Sequence, residues 1–294
     1  MDSKKIKSAV LKTIAYADIF DFPLKEEEVF KFLIETRTSK AQVAGCLEEL
    51  VKAKKISSIS GFYFLPDRGK IVVMRRKREK YSVRKLKIAR KAAKFIKIFP
   101  SVKLIGLTGA LAVSNSKKDD DIDFLIVTSG NLLWTTRFLT TVILSVLGLK
   151  RKRNATSVAD KICLNMFIDE SSLSFSDHNL FLAHEILQLS PIYQKDDIYQ
   201  KFLQKNIWVL KFLPNWPFPK TKEQFLLNKK ITLKLFLAIE KLLKKAQLVY
   251  MYPHITTEKI SDKLLKFHPR DMRKIVLSKY QQKIKTLDKI KNSP

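Results

Sequence analysis

The sequence predicts an α/β (α+β) fold, with a small mixed sheet in mid-chain and helices before and after it. Three observations carry this prediction. Strand-length apolar runs stand at 102–107, 122–127 and 162–168, with helical apolar spacing between and around them. The 294 residues include only 7 glycines and 10 prolines, too few for the many tight turns of an all-β fold. Apolar residues make up 46% and aromatics 10%, enough to bury ordinary cores and inconsistent with disorder. The length suits two or three modules, and the pattern divides at 1–68, 69–175 and 176–294.

Residues 1–68 read as helix, helix, helix, hairpin. Ile6, Val10, Leu11, Ile14 and Ala15 give the first helix its apolar face. Phe22-Pro23-Leu24 breaks it, and Glu26-Glu27-Glu28 suits the positive end of a second helix. Thr38 or Ser39 can cap a third, whose face is Val43, Leu47, Leu50 and Val51. Residues 56–65 alternate loosely around Ser60-Gly61, a hairpin turn. This order resembles a winged-helix module. Its third helix offers Lys40, Gln42, Lys52 and Lys54 to nucleic-acid phosphates, while Glu48 and Glu49 on the same helix oppose them.

A basic helix should follow over 69–99. Val83, Leu86, Ala89, Ala93 and Ile96 form its packing face, its other side is solvated cation, and Pro100 ends it. Then come a strand over 102–107, a turn or short helix to Ser116, a strand over 122–127, a crossover helix over 132–147 and a strand over 162–168. This is a minimal core with helices on one face of the sheet. From 176 onward the pattern reads as an all-helical C-terminal domain. Trp208, Phe212, Trp216 and Phe218 are core residues there.

The formal charge is +29. Such charge favours polyanions through counterion release, and a lysine-rich coding bias produces the same charge with no ligand. The two cysteines, Cys46 and Cys163, sit in apolar-periodic segments as small buried side chains. The N-terminal residues lack the apolar run of a secretion signal, so a cytoplasmic location is expected and the sequon at Asn154 is chance. The apolar stretch 138–149 is shorter than the roughly 20 residues of a membrane span, so no membrane insertion is expected.

Asp121 and Asp123 stand two apart on a strand, so both carboxylates project to one face about 6–7 Å apart, close enough to share a cation. Ile122, Phe124 and Ile126 point into the core. Gly109 ends the preceding strand without a Cβ, which allows a sharp turn and close backbone approach to phosphate oxygens. Gly109-Ala110, ten residues, then Asp121-Ile122-Asp123 and the flank Phe124-Leu125-Ile126-Val127 resemble the core motif of the polymerase-β-like nucleotidyltransferase superfamily. The resemblance is clear over 102–128 and looser to about 170.

It implies a nucleotidyltransferase-type sheet in which Asp121 and Asp123 bind Mg²⁺ and Thr108, Gly109 and Ala110 hold an NTP. It also implies transfer of a nucleoside monophosphate to an acceptor hydroxyl with release of pyrophosphate. Two positions depart from the family. Ala110 replaces a serine whose hydroxyl would bond a phosphate. Asn165 stands where a third carboxylate is expected and can ligate or orient, but cannot act as a general base. Asp160 and Asp169 lie too far along the strand to replace it. The catalytic set is therefore Asp121, Asp123 and Asn165. The other reading is a catalytically weak or inactive fold that binds nucleic acid through the basic helix and front module.

Lys150-Arg151-Lys152-Arg153 can clamp a triphosphate or an RNA backbone, or be a solvated connection after an apolar helix. Trp134 and Arg137 can form a cation–π pair. His184-Glu185 reads as a helix-surface or interdomain hydrogen-bonding pair, and His268 as marking a helix junction.

Overall fold

The computed structural model describes residues 3–152, 155–219, 234–254, 259–267 and 272–291. Helix α1 (Ser3–Asp18) buries the predicted face, Ile6, Val10, Leu11, Ile14 and Ala15. Helix α2 (Glu26–Lys31) starts with its three glutamates, and Glu28 accepts from the Lys25 amide at 2.8 Å. Ser39 caps α3 (Lys40–Lys52) by accepting from the Gln42 amide. Val43, Cys46, Leu47 and Leu50 of α3 then complete the core of this module. Strands β2 (Ser57–Ile59) and β3 (Phe62–Phe64) pair antiparallel around Ser60-Gly61 as predicted. A two-residue strand, β1 (Leu24–Lys25), adds to β3 and was not foreseen.

Helix α4 (Lys70–Ile96) occupies the predicted span, and Leu86, Ala89, Ala93 and Ile96 of the predicted face pack inward. Val83 is exposed instead, and between the apolar ends at Ile71-Val72 and Ala89 the buried stripe runs through Arg75, Arg78, Ser82 and Lys85. Each buried cation is fully engaged, which is what makes its burial tolerable. Arg75 pairs with Glu28 at 2.8 Å, donates to the Pro23 carbonyl at 2.7 Å and lies 3.9 Å over the Phe22 ring. Arg78 donates to the Phe20 carbonyl at 3.0 Å and to Asn115 at 3.2 Å. Lys85 donates to the carbonyls of Lys118 and Asp120 and to Asp160. The helix therefore clasps the N-terminal module to the segment that joins the first two strands of the central sheet.

That sheet contains the three predicted strands, β4 (Val102–Leu107), β5 (Ile122–Thr128) and β6 (Ile162–Asp169), with α5 (Gly109–Ala112) and α6 (Leu133–Val146) between them. β4 and β5 are antiparallel and β5 and β6 parallel, so the sheet is mixed. The expectation of an all-helical region from 176 is corrected. β7 (Ser190–Gln194), β8 (Lys259–Ile260) and β9 (Leu264–Lys266) join the same sheet, in the order β7-β4-β5-β6-β9-β8. All three are short, and β7 carries Pro191, which is tolerated because β7 is an edge strand.

Helices also cover both faces of the sheet rather than one. Phe124 and Ile126 of β5 pack with Ile96 of α4 and Trp134 of α6. Leu125 and Val127 pack on the opposite side with α7 (Leu180–Gln188), α8 (Ile198–Lys205) and Trp208. Phe212, Trp216 and Phe218 pack against that second core as expected. α9 (Lys234–Met251) lies against α6, and α10 (Met272–Lys291) against α1 and α7. The β5–β6 register slips once: Phe124 pairs with Leu164 but Leu125 with Met166, which leaves Asn165 as an extra residue. Among the described residues, no helix is long and apolar enough to cross a membrane. Asn154 and His268 lie outside the described residues.

Candidate functional site

The central strands end side by side. The Thr108 amide donates to the Asp123 carbonyl at 3.1 Å, and Cys163 is the register partner of Asp123 on β6. Thr108, Asp123 and Cys163 thus form a row across three strands. Gly109 turns the chain here at φ +62, and a Cβ on it would meet Asp123 Oδ2 at 3.3 Å. The predicted glycine therefore has a geometric reason: its backbone lies directly against the carboxylate. Ala110 is exposed in the first turn of α5.

One ligand atom each from Asp121, Asp123 and Cys163 lies within 4.8 Å of the other two. The cysteine is the member that the sequence did not suggest. Its apolar flanks concealed it, and only the parallel register reveals that it faces Asp123. Asn165, the expected third member, is the extra residue of the β5–β6 slip, two positions after Cys163. It is buried, and its amide donates to Thr108 Oγ1 at 3.4 Å, while its own Oδ1 has no protein partner. Asn165 is thus tied to Thr108, the residue before the Gly109 turn.

Arg151 supplies the positive charge. Its amide donates to the Ile162 carbonyl, which sets the residue beside the start of β6, and its guanidinium donates to Asp121 Oδ2 at 2.7 Å and approaches Cys163 Sγ at 3.7 Å. Of the basic run 150–153, this is the residue that reaches the site; Arg153 lies outside the described residues. Asp160 and Asp169 serve elsewhere, as their distance along β6 predicted. Asp160 pairs with Arg84 and Lys85, and Asp169 accepts from the Asn131 and Ser171 amides.

Electrostatics set the protonation states. Burial, and then the neighbouring Asp121 charge, push the Asp123 carboxyl up to about 7. Burial and the two aspartates push the Cys163 thiol far above its usual range, so it stays protonated and donates to Asp123. Two carboxylates fit a hard divalent cation, and a protonated thiol does not.

Beside the Gly109 turn lies a cavity of about 130 Å³. Its other walls come from α1, from Phe20, Phe22, Leu24 and Phe32 in the segments that follow α1 and α2, and from α7, whose share includes His184 and Glu185. His184 is not on the surface but buried against Tyr16, with ring centroids 4.2 Å apart and nearly parallel planes, while Glu185 is half-buried. Burial holds His184 down at about 3 and raises Glu185 to about 6. Arg137, in turn, faces the Phe267 ring at 4.9 Å, and Trp134 is buried in the core.

Compared with models of known protein families, with curated proteins and with solved structures, the chain matches none.

Proposed function

We propose that the chain is a nucleotidyltransferase that transfers a nucleoside monophosphate from an NTP to an acceptor hydroxyl and releases pyrophosphate. The observation that carries this reading is the approach of Gly109 to Asp123, with Asp121 beside it, where β4 ends and β5 begins. A backbone turn without a side chain next to two carboxylates is what a triphosphate bound with a divalent cation requires. Asp121 and Asp123 would hold Mg²⁺, which when bound offsets phosphate charge and aids departure of pyrophosphate. Arg151 lies where it can exchange its carboxylate partner for a phosphate oxygen. The Gly109–Ala110 backbone lies alongside for the remaining phosphate oxygens.

No strong base completes the set. Cys163 stays protonated and Asn165 bonds to Thr108, so the site suits an acceptor whose hydroxyl needs little help to lose its proton. The test is incubation with each labelled NTP and Mg²⁺, scoring transfer to the protein itself, to RNA and to small hydroxyl compounds. Asp121→Asn should abolish turnover and leave the far-ultraviolet circular dichroism unchanged; unaltered turnover in that variant rejects the assignment.

A second reading, a nucleic-acid-binding module with an inert core, is favoured by one observation. The outer face of α4 exposes Arg76, Lys77, Lys80, Lys87, Lys91 and Lys94, and the helix's one acidic residue, Glu79, is taken by Arg75. Such a row matches a phosphate backbone.

A further inference from the structure

The helices over one face of the central sheet carry an apolar outer surface that the chemistry at Asp121 and Asp123 does not use. α6 packs against both α4 and α9. Glu240 of α9 accepts from the Trp134 and Thr135 amides at the start of α6, and Gln247 donates to the Trp134 carbonyl. These bonds fix the inward side of α9. Its outward side carries Ala238, Leu242, Ala246 and Val249 at helical spacing, and all four are exposed. α6 likewise exposes Phe138, Val142 and Val146, each one turn from the next. Among the described residues 16 large apolar side chains stand exposed, and three of them are on α6 and four on α9. Leu242, Val249 and Val146 are the most open of the aliphatic ones, at 67%, 76% and 77%. Apolar side chains gathered in this way mark an interaction surface, whereas scattered ones would not.

Charge selects the partner. The only acids on α4, α6 and α9 are Glu79, held by Arg75, and Glu240, turned inward to cap α6. Exposed cations flank the apolar residues: Lys87, Lys91 and Lys94 on α4, Lys152 beyond the end of α6, and Lys241 and Lys245 on α9. A second copy of the chain would set such lysines against each other, on a protein that already carries a net charge of +29. A nucleic-acid strand would match the lysines but leave the apolar side chains in water. A surface of anionic lipid satisfies both, since it takes apolar side chains at headgroup depth and neutralises the cations around them. We propose that the outer face of α6 and α9, with its cationic flanks, docks on an anionic lipid surface. The docking is peripheral, because no helix among the described residues is long and apolar enough to cross a membrane. Asp123 alternates with Phe124, which points into the core beneath α6, so the carboxylates face the other side of the sheet. Lipid docking and nucleotide chemistry therefore stand or fall separately.

The test is co-sedimentation of the full chain with vesicles of phosphatidylcholine, alone or mixed with phosphatidylserine. Binding to the mixed vesicles should be saturable, at least tenfold tighter than to phosphatidylcholine alone, and weaker as salt is raised. Val146→Ser combined with Leu242→Ser removes two exposed apolar side chains without touching the core. This variant should bind the mixed vesicles at least tenfold more weakly, with unchanged circular dichroism. Lys241→Gln combined with Lys245→Gln should weaken binding at least fivefold and flatten its salt dependence. No binding to the mixed vesicles, or binding that the serine variant leaves unchanged, overturns the proposal. A single-stranded oligonucleotide that binds the parent chain more tightly than the serine variant assigns the face to nucleic acid and overturns it as well. So does a concentration-dependent dimer of the parent chain that the serine variant abolishes.

Discussion

Cys163 faces Asp123 across the parallel pairing of β5 and β6, and its protonated thiol donates to that carboxylate. Cys163→Asp therefore places a third carboxylate beside the first two. Without metal, like-charge crowding should lower the melting temperature; Mg²⁺ should restore it and bind at least tenfold more tightly than in the unmutated chain. Thermal melts across a Mg²⁺ series measure both. A variant with the same Mg²⁺ dependence as the parent would show that the three side chains do not form one cation site.

Arg151 competes with any metal for Asp121. Replacing it with glutamine removes a partly exposed ion pair at 2.7 Å, worth up to about 1 kcal/mol. Mn²⁺ affinity, read by electron paramagnetic resonance, should rise about fivefold, while NTP affinity falls as the phosphate contact is lost. A parallel gain in both would remove Arg151 from the phosphate side of the site.

His184 links stability to pH. Its folded pKa, about 3, lies below the ordinary value of about 6.5, so the unfolded chain binds the proton first as pH falls. The fold thus loses stability from pH 6.5 downward. Glu185, raised to about 6, has the opposite sign: its contribution is present below the ordinary value near 4.5 and is lost as pH rises through 6. In His184→Phe, denaturant unfolding should show about 2 kcal/mol less loss between pH 6.5 and 4.5 than in the parent. Parallel pH profiles for the two proteins would contradict the burial of a neutral imidazole.

Lys85 joins α4 to the loop before β5. Lys85→Met leaves two carbonyls without this donor, while Asp160 keeps only the exposed Arg84. Breaking a buried charge network of this kind costs about 3 kcal/mol. A smaller denaturant midpoint with unchanged slope is the expected result; no change would mean that α4 is held by its two apolar ends alone.

The outer face of α4 can be tested by charge. Changing Lys77, Lys80, Lys87 and Lys91 to glutamine should reduce the log–log salt slope of nucleic-acid binding by about 3, if that face holds the backbone. Salt-insensitive binding, or none, removes the second reading.

Most of the core was legible because β4, β5 and β6 are buried on both faces and therefore read as continuous apolar runs. β1, β7, β8 and β9 were not, since strands of two to five residues carry too few alternations to register. The inward face of α4 was hidden for a different reason. Hydrophobic periodicity counts Arg75, Arg78 and Lys85 as solvent-facing, and only their partners in distant segments, Glu28, Asn115 and Asp160, explain their burial. Likewise, Asp121, Asp123 and Gly109 could be found from spacing along one strand and turn, whereas Cys163 and Arg151 depend on pairing between segments.

The slip at Asn165 has a further consequence. Leu164 packs on the α4–α6 side of the sheet and Met166 on the α7 side, although regular alternation would put both on one side. The strand therefore changes phase by one residue between its two halves. The half that pairs with Leu125, Ile126 and Val127 anchors the core, and the half that meets Asp123 carries the site. Removing that single residue would bring Leu164 next to Met166 and restore regular pairing, with Cys163 still opposite Asp123. What the slip adds is therefore one side chain inserted between two fixed halves, the amide that reaches Thr108, and it leaves the partner of the carboxylate unchanged.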